Sequence, residues 1–127
     1  MKSFSKTIRV SPEHLDWNSH VNNITYLQWA VDLSREHWLS EVSEEIANNN
    51  FWVVRSHHIE YKKQAFLGDE LQIKTFVESV KGPLSERIVE IRRDETLIAE
   101  VNSSWCFIDL VTQKLKRVPE DIQELFF

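Results

Sequence analysis

The spacing of apolar and polar positions changes twice along this 127-residue chain. In residues 4 to 10, "FSKTIRV", apolar side chains at Phe4, Ile8 and Val10 stand among polar neighbours, with Lys6 interrupting the run, and predict a first strand. "SPEHLDWNSH" follows as a loop. From about Ile24 the spacing becomes helical: Ile24, Leu27, Val31 and Trp38 recur at three to four residues or multiples of it. Tyr26, Ala30 and Leu33 widen the apolar arc, and a narrow polar stripe lies opposite. An arc that wide predicts a helix mostly wrapped by protein, ending near Val42. Asn22 or Asn23 is its expected N-cap, because a short side-chain oxygen can accept an orphan N–H of the first turn. "SEEIANNN" predicts a short turn. Beyond residue 50 the chain reads as strands at 51–65, 70–80, 85–93 and 96–109. They are separated by "LGDE", "KGP" and "RRDET", and connections so short predict an antiparallel meander. "DLVTQKLK" predicts a closing hairpin or strand end. Pro119 suits the first position of a short helix whose positive end is met by Glu120 and Asp121. The pattern is α+β, with one long helix and one antiparallel sheet that must bury each other.

Composition narrows the picture. The apolar fraction is 42%, with five Trp and seven Phe but only two Gly, so one folded domain over residues 1–127 is expected. A net charge of −5 argues against a nucleic-acid partner. The lone Cys106 cannot form an intrachain disulfide, which fits a reducing compartment. No long apolar stretch opens "MKSFSKTIRV" and no window reaches membrane-spanning length. No signal peptide and no membrane association are therefore expected, and the cytoplasm is the default.

The chemistry concentrates in "DWNSHVNNITYLQW", residues 16 to 29. Asp16, Asn18 and His20 alternate, and alternate residues of an extended segment point the same way, so the three can converge on one carbonyl. Asp16 can activate or supply an attacking oxygen. The backbone N–H groups of Val21, Asn22 and Asn23, at the start of the helix, are candidate donors for a developing oxyanion. Asp, Asn and Ser before a helix are also ordinary capping and turn residues. The full pattern, with Tyr26 and Trp29 included, favours the catalytic reading.

That pattern resembles hotdog thioesterases of the 4-hydroxybenzoyl-CoA thioesterase type. Its spelling D-x-N-x-H-V-N-N-x-x-Y-x-x-W is especially similar to that of the plant acyl-ACP thioesterases. The resemblance continues through "HHIEYKKQAFLGDELQIKT" (57 to 75) and, more loosely, "FIDLVTQKLKRVP" (107 to 119). It implies a hotdog fold, an antiparallel sheet wrapped around one long central helix. It also implies an active site at a subunit interface, in a dimer or tetramer whose sheets join edge to edge. The implied reaction is hydrolysis of an acyl thioester carried on CoA or a carrier protein, with no cofactor. Asp16, Asn18 and His20 match the catalytic trio. Tyr26 and Trp29 are candidate walls of an acyl tunnel, and Gln64, Lys62 and Lys63 are candidate contacts to substrate, the lysines to its phosphates. One departure is plain: where the plant enzymes follow Y-R-R with Glu and Cys, this chain follows "YKK" with Gln64 and Ala65. A mechanism that needs that Glu is in doubt here, and an Asp-based route fits better.

Other readings carry less. Cys106 with His20 and Asn18 invites a papain-like arrangement, but a small buried strand residue is the plainer account. His57 and His58 are neighbours facing opposite sides of a strand, and His14 and His20 show no zinc spacing, so no metal is expected. His37 reads as structural. Of the other basic residues, Arg92, Arg93, Lys114, Lys116 and Arg117 read as solvated strand ends or further phosphate contacts. Phe126 and Phe127 read as a cap on the body or a subunit contact. The competing functional class is a non-enzymatic acyl-thioester binding protein on the same fold, motivated by Gln64. A hotdog dehydratase is disfavoured by the spacing of the loop residues.

Overall fold

The long helix starts where the amides predict. In the computed structural model, which describes residues 2–127, Asn22 is extended and its Oδ1 accepts the N–H of Ile24 at 3.0 Å, capping α1 (Asn23–Glu41). Val42 returns to an extended conformation and ends the helix. Ser43 then caps α2 (Glu44–Asn49), where the sequence predicts only a turn. The buried face of α1 is Tyr26, Trp29, Ala30, Leu33, Ser34, His37 and Trp38. This narrows the expected apolar arc. Ile24 is 73% exposed and Val31 is only half-buried, because about 100° per residue carries both to the side away from Tyr26 and Leu33. Within the chain the helix is covered on one side.

The sheet holds β1 (Ser3–Arg9), β2 (Asn50–Tyr61), β3 (Glu70–Lys81), β4 (Leu84–Arg93) and β5 (Thr96–Asp109) in the order β1-β3-β4-β5-β2, with every pair antiparallel. Only β3–β4–β5 is the expected meander. Its tight turns are Gly82-Pro83 and Asp94-Glu95, with φ of +60° at Gly82 and +54° at Asp94. β2 does not pair with β3. It pairs with the far side of β5, Asn50 opposite Asp109 through Tyr61 opposite Ala99, and residues 62–69 carry the chain across to β3. The predicted strand 51–65 therefore stops at Tyr61, where Lys62 and Lys63 both donate their N–H to Ile98 O.

Alternation along the strands, reset at Ile98 where the β4–β5 register shifts, aims one set of side chains at α1. Leu71, Ile73, Ile91, Ile98 and Val101 are fully buried beneath Tyr26, Trp29 and Leu33. Each such burial is worth roughly 1.5–3 kcal/mol, against a few tenths for a helix propensity, so packing decides the arrangement. A second cluster, around Trp38, Val77 and Phe107, is closed by the chain end. Pro119 is the cap of α3 (Glu120–Glu124) rather than its first residue. Phe126 stacks on Trp38 at 5.9 Å and is buried; Phe127 stays exposed. The expected closing hairpin is a turn held by Asp109 and an isolated bridge from Ile108 to Leu115.

Candidate active site

The loop before α1 is a closed turn, and this corrects the extended segment expected there. A bridge between Leu15 and Val21 pinches its ends. Asp16 N–H donates to His20 O at 2.8 Å, and Ser19 takes a φ of +64°. The Asp16 carboxylate does the work that Gly or Pro does in other turns. Its Oδ1 accepts the N–H of Asn18 at 2.8 Å and that of His20 at 3.2 Å. Asp16, Asn18 and His20 therefore do not share one extended face. Asp16 is half-buried inside the turn, Asn18 is exposed, and the half-buried His20 sets its ring edge-on to Phe66 at 5.5 Å. Among the described residues no group donates to Asp16 Oδ2, so one carboxylate oxygen is fixed and the other is open.

The loop docks on the segment that follows β2. Val21 N–H donates to Ala65 O at 3.2 Å, and Tyr61 Oη donates to Asn23 O at 3.3 Å. Arg93 ties the segment down, with Nη1 donating to Gln64 O at 3.0 Å and to Asp69 Oδ2 at 2.8 Å. The two stretches of the sequence motif are thereby brought together. Docking also spends two of the three amides expected to serve as donors. Val21 N–H is taken by Ala65, and Asn22 N–H donates to His14 O at 2.9 Å. Ile24 N–H is taken by the cap, and Asn23 N–H alone has no protein acceptor among the described residues.

The remaining candidates divide between core and surface. Tyr26 is 2% exposed and Trp29 8%, and the rings pack edge-on at 5.7 Å, so within the chain both belong to the core. The Tyr26 hydroxyl has no hydrogen-bond partner, and burial pushes its pKa up; the nearby Ala65 N–H pulls the other way without reaching hydrogen-bond geometry. Gln64, Lys62 and Lys63 are exposed, and Lys62 pairs with Glu60 at 2.7 Å. Lys114, Lys116 and Arg117 sit at the opposite end of β2, where Lys116 donates to Asn50 Oδ1. Cys106 lies within the sheet, opposite Val53 and Leu84, and forms no group with His20. Among the described residues no three His, Cys, Asp or Glu side chains are grouped to hold a metal ion, and no helix is long and apolar enough to cross a membrane.

Two features escaped the sequence reading. Exposed apolar side chains surround the turn: Trp17 at 91%, Ile24, Tyr61, Phe66 and Leu67. Large exposed apolar groups beside a polar loop mark a contact or binding surface. The other is Arg87, which is buried. Alternation would have found it, since Ser85, Val89 and Ile91 point inward and Arg87 shares their parity.

A five-stranded antiparallel sheet laid over one long helix is the hotdog architecture of thioesterases. The chain belongs to the thioesterase-like superfamily, whose family model matches residues 10–126. Among curated proteins it is similar to the long-chain acyl-CoA thioesterase FadM of Escherichia coli (strain K12), 28% identical over 124 residues and covering 92% of each chain. Among solved structures it is similar to YbaW, a probable thioesterase from Escherichia coli. That match has a TM-score of 0.85 and 26% identity, over 95% of this chain and 94% of that one. SAV2348 of Staphylococcus aureus, solved in complex with CoA, shares the fold at a TM-score of 0.86 and 19% identity, over 98% of this chain and 81% of that one.

Proposed function

We propose that this chain hydrolyses acyl-CoA thioesters to a free acid and CoA, with Asp16 as general base or nucleophile. The observation that carries the reading is the division of labour at Asp16: Oδ1 is locked by two backbone N–H groups while Oδ2 is open beside the start of α1. As a base, Oδ2 takes a proton from water while the water oxygen bonds to the thioester carbonyl carbon. The C–S bond then breaks and the sulfur leaves as thiolate, which is protonated. As a nucleophile, Oδ2 itself bonds to that carbon, the C–S bond breaks and the thiolate leaves and takes a proton from solvent, and water then cleaves the mixed anhydride to release the acid and restore the carboxylate. In either route negative charge grows on the carbonyl oxygen, and Asn23 N–H is the donor left to receive it. General-base help contributes about 10²–10⁴-fold, and one oxyanion donor about 3 kcal/mol, or a hundredfold or more. Asn18 and His20 are then orienting groups at the mouth of the turn.

The substrate side rests on the family, on the named activity of FadM and on charge. A net charge of −5 disfavours an acidic carrier protein, so CoA is the preferred carrier. We further propose that two copies join along β2. Its outer edge is unpaired among the described residues over a twelve-residue strand, and Val53 and Val54 are exposed. Such pairing would set Lys62, Lys63 and Gln64, at the end of β2, beside the substrate's approach.

The test is a panel of acyl-CoAs of increasing chain length, read with a chromogenic thiol reagent. Thiol release with saturation is expected. Thermal stabilisation by acyl-CoA with no release at any chain length would instead establish the binding-protein alternative, which Gln64 in place of a carboxylate favours.

A further inference from the structure

The adjacent histidines of β2 face opposite sides of the sheet, and His57 shares the helix side with Ile59, which packs on the core. His57 stands opposite Ser103 of β5, and its Nδ1 lies 2.6 Å from Ser103 Oγ. The proton between them belongs to the serine. Ser103 Oγ has no other hydrogen-bond partner among the described residues, so only an O–H donated to Nδ1 leaves no hydroxyl proton stranded. The neutral ring then carries its own proton on Nε2. Burial holds the His57 pKa below its ordinary value, so the ring is neutral near pH 7 and free to accept. A hydroxyl donating to a neutral imidazole at this distance has the arrangement of a nucleophile and its base.

Two positive groups flank the same hydroxyl. Trp105 lies two residues beyond Ser103, on the same face of β5, and its buried Nε1 donor has no partner. Its ring meets that of His57 edge-on at 6.0 Å. On the other side, Arg87 of β4 is the register partner of Ser103, which sets the two Cβ atoms about 4.5–5.5 Å apart. Arg87 is buried, and its Nη1 donates only to neutral acceptors, His37 Nδ1 and Thr75 Oγ1. No carboxylate pairs with it among the described residues. A buried N–H without an acceptor and a buried cation without a counter-charge both favour an oxyanion growing between them. Val54 and Tyr61, on the same face of β2, are exposed, so this side of the strand is open to solvent. Ser103 itself is 5% exposed, so the acyl group it receives is short. His57 lies four residues, about 13 Å, back along β2 from Tyr61, whose hydroxyl marks the start of α1.

We propose that Ser103 and His57 form a second acyl-transfer centre, which hydrolyses short-chain esters with a good leaving group through an acyl-serine. Ser103 Oγ bonds to the ester carbonyl carbon as its proton passes to His57 Nδ1. The carbonyl π electrons move onto oxygen, towards Trp105 Nε1 and Arg87. The C–O bond to the leaving group then breaks, and the departing alkoxide takes the proton from Nδ1. Water repeats the sequence: Nδ1 takes its proton and its oxygen bonds to the acyl carbon. Oγ then leaves, recovers the proton and releases the acid. The assignment does not depend on the hydrolase reading, since Asp16 takes no part.

A small fluorophosphonate, applied to the whole protein in the Asp16→Asn background and located by peptide mass mapping, tests this. The probe forms an Oγ–P bond with loss of fluoride, and p-nitrophenyl acetate serves as the turnover substrate. Labelling of Ser103 is expected, together with release of p-nitrophenolate. Ser103→Ala is expected to abolish both, and His57→Gln to slow both by about a hundredfold or more. Either variant decides the matter if the other does not fold. The proposal is overturned if Ser103 of the folded protein takes no label, or if the label lands on another residue. It is equally overturned if His57→Gln is labelled as fast as its parent. A labelled Ser103 in a protein that releases no thiol from acyl-CoA would sink the hydrolase reading and leave this one standing.

Discussion

Acidification should loosen this protein through one buried ring. His37 is 0% exposed, and its Nδ1 accepts a hydrogen bond from Arg87 Nη1. Arg87 can only donate, so the neutral ring carries its proton on Nε2. A second proton would have to displace the Arg87 bond and stand beside a guanidinium. Burial first, then Arg87 and Lys2, push the His37 pKa from 6.5 down to about 4. Because the folded value is depressed, this group's stabilisation is complete above the unfolded pKa. It fades as pH falls, since the unfolded chain takes a proton that the folded chain refuses, and the loss ends near the folded pKa. The full span of 2.5 pKa units corresponds to about 3 kcal/mol, of which about 2 kcal/mol falls between about pH 7 and about pH 4.5. His37→Gln keeps an acceptor for Arg87 and cannot titrate. Urea unfolding followed by tryptophan fluorescence, run on both proteins across that range, gives the comparison. The variant should start less stable near neutrality and lose about 2 kcal/mol less on acidification. Parallel curves would refute the reasoning, because every other titrating group is common to both proteins.

Three further outcomes follow from the same contacts. Asn22→Ala removes the acceptor for Ile24 N–H and should cost about 1 kcal/mol, seen as a lower thermal midpoint. Arg93→Met cuts the ties to Gln64 O and Asp69 Oδ2. Faster amide exchange confined to residues 62–69 and the loop docked on it is expected, with reduced acyl-CoA turnover. Asp16→Ala leaves the N–H groups of Asn18 and His20 without an acceptor and should destabilise by about 1–2 kcal/mol in urea, whereas Asp16→Asn retains both bonds and should unfold like the wild type.

Local signals were legible and non-local ones were not. The start of α1 was readable because Asn22 is a capping residue before a helical period, and β3 because Leu71, Ile73, Thr75 and Val77 alternate. The partner of β2 was not readable. Short connections favour neighbours in sequence, but the eight residues after Tyr61 are enough to cross the sheet, and β5 offers the longer register. The face of α1 is not legible because an arc counted from Ile24 treats apolar residues at a helix start as core, whereas Ile24 is exposed. At the candidate site the residue types were visible but their geometry was not. Five residues with no Gly close a turn only because the Asp16 carboxylate replaces backbone acceptors and Ser19 accepts a positive φ, and neither leaves a trace in period or composition.

The proposed hydrolysis depends on the open oxygen of Asp16. Steady-state hydrolysis of a saturating acyl-CoA by wild type and by Asp16→Asn, with equal urea midpoints as the control for folding, tests it most directly. A fall in kcat of about a hundredfold or more with the fold intact is the predicted result. Undiminished turnover in the folded variant would contradict it.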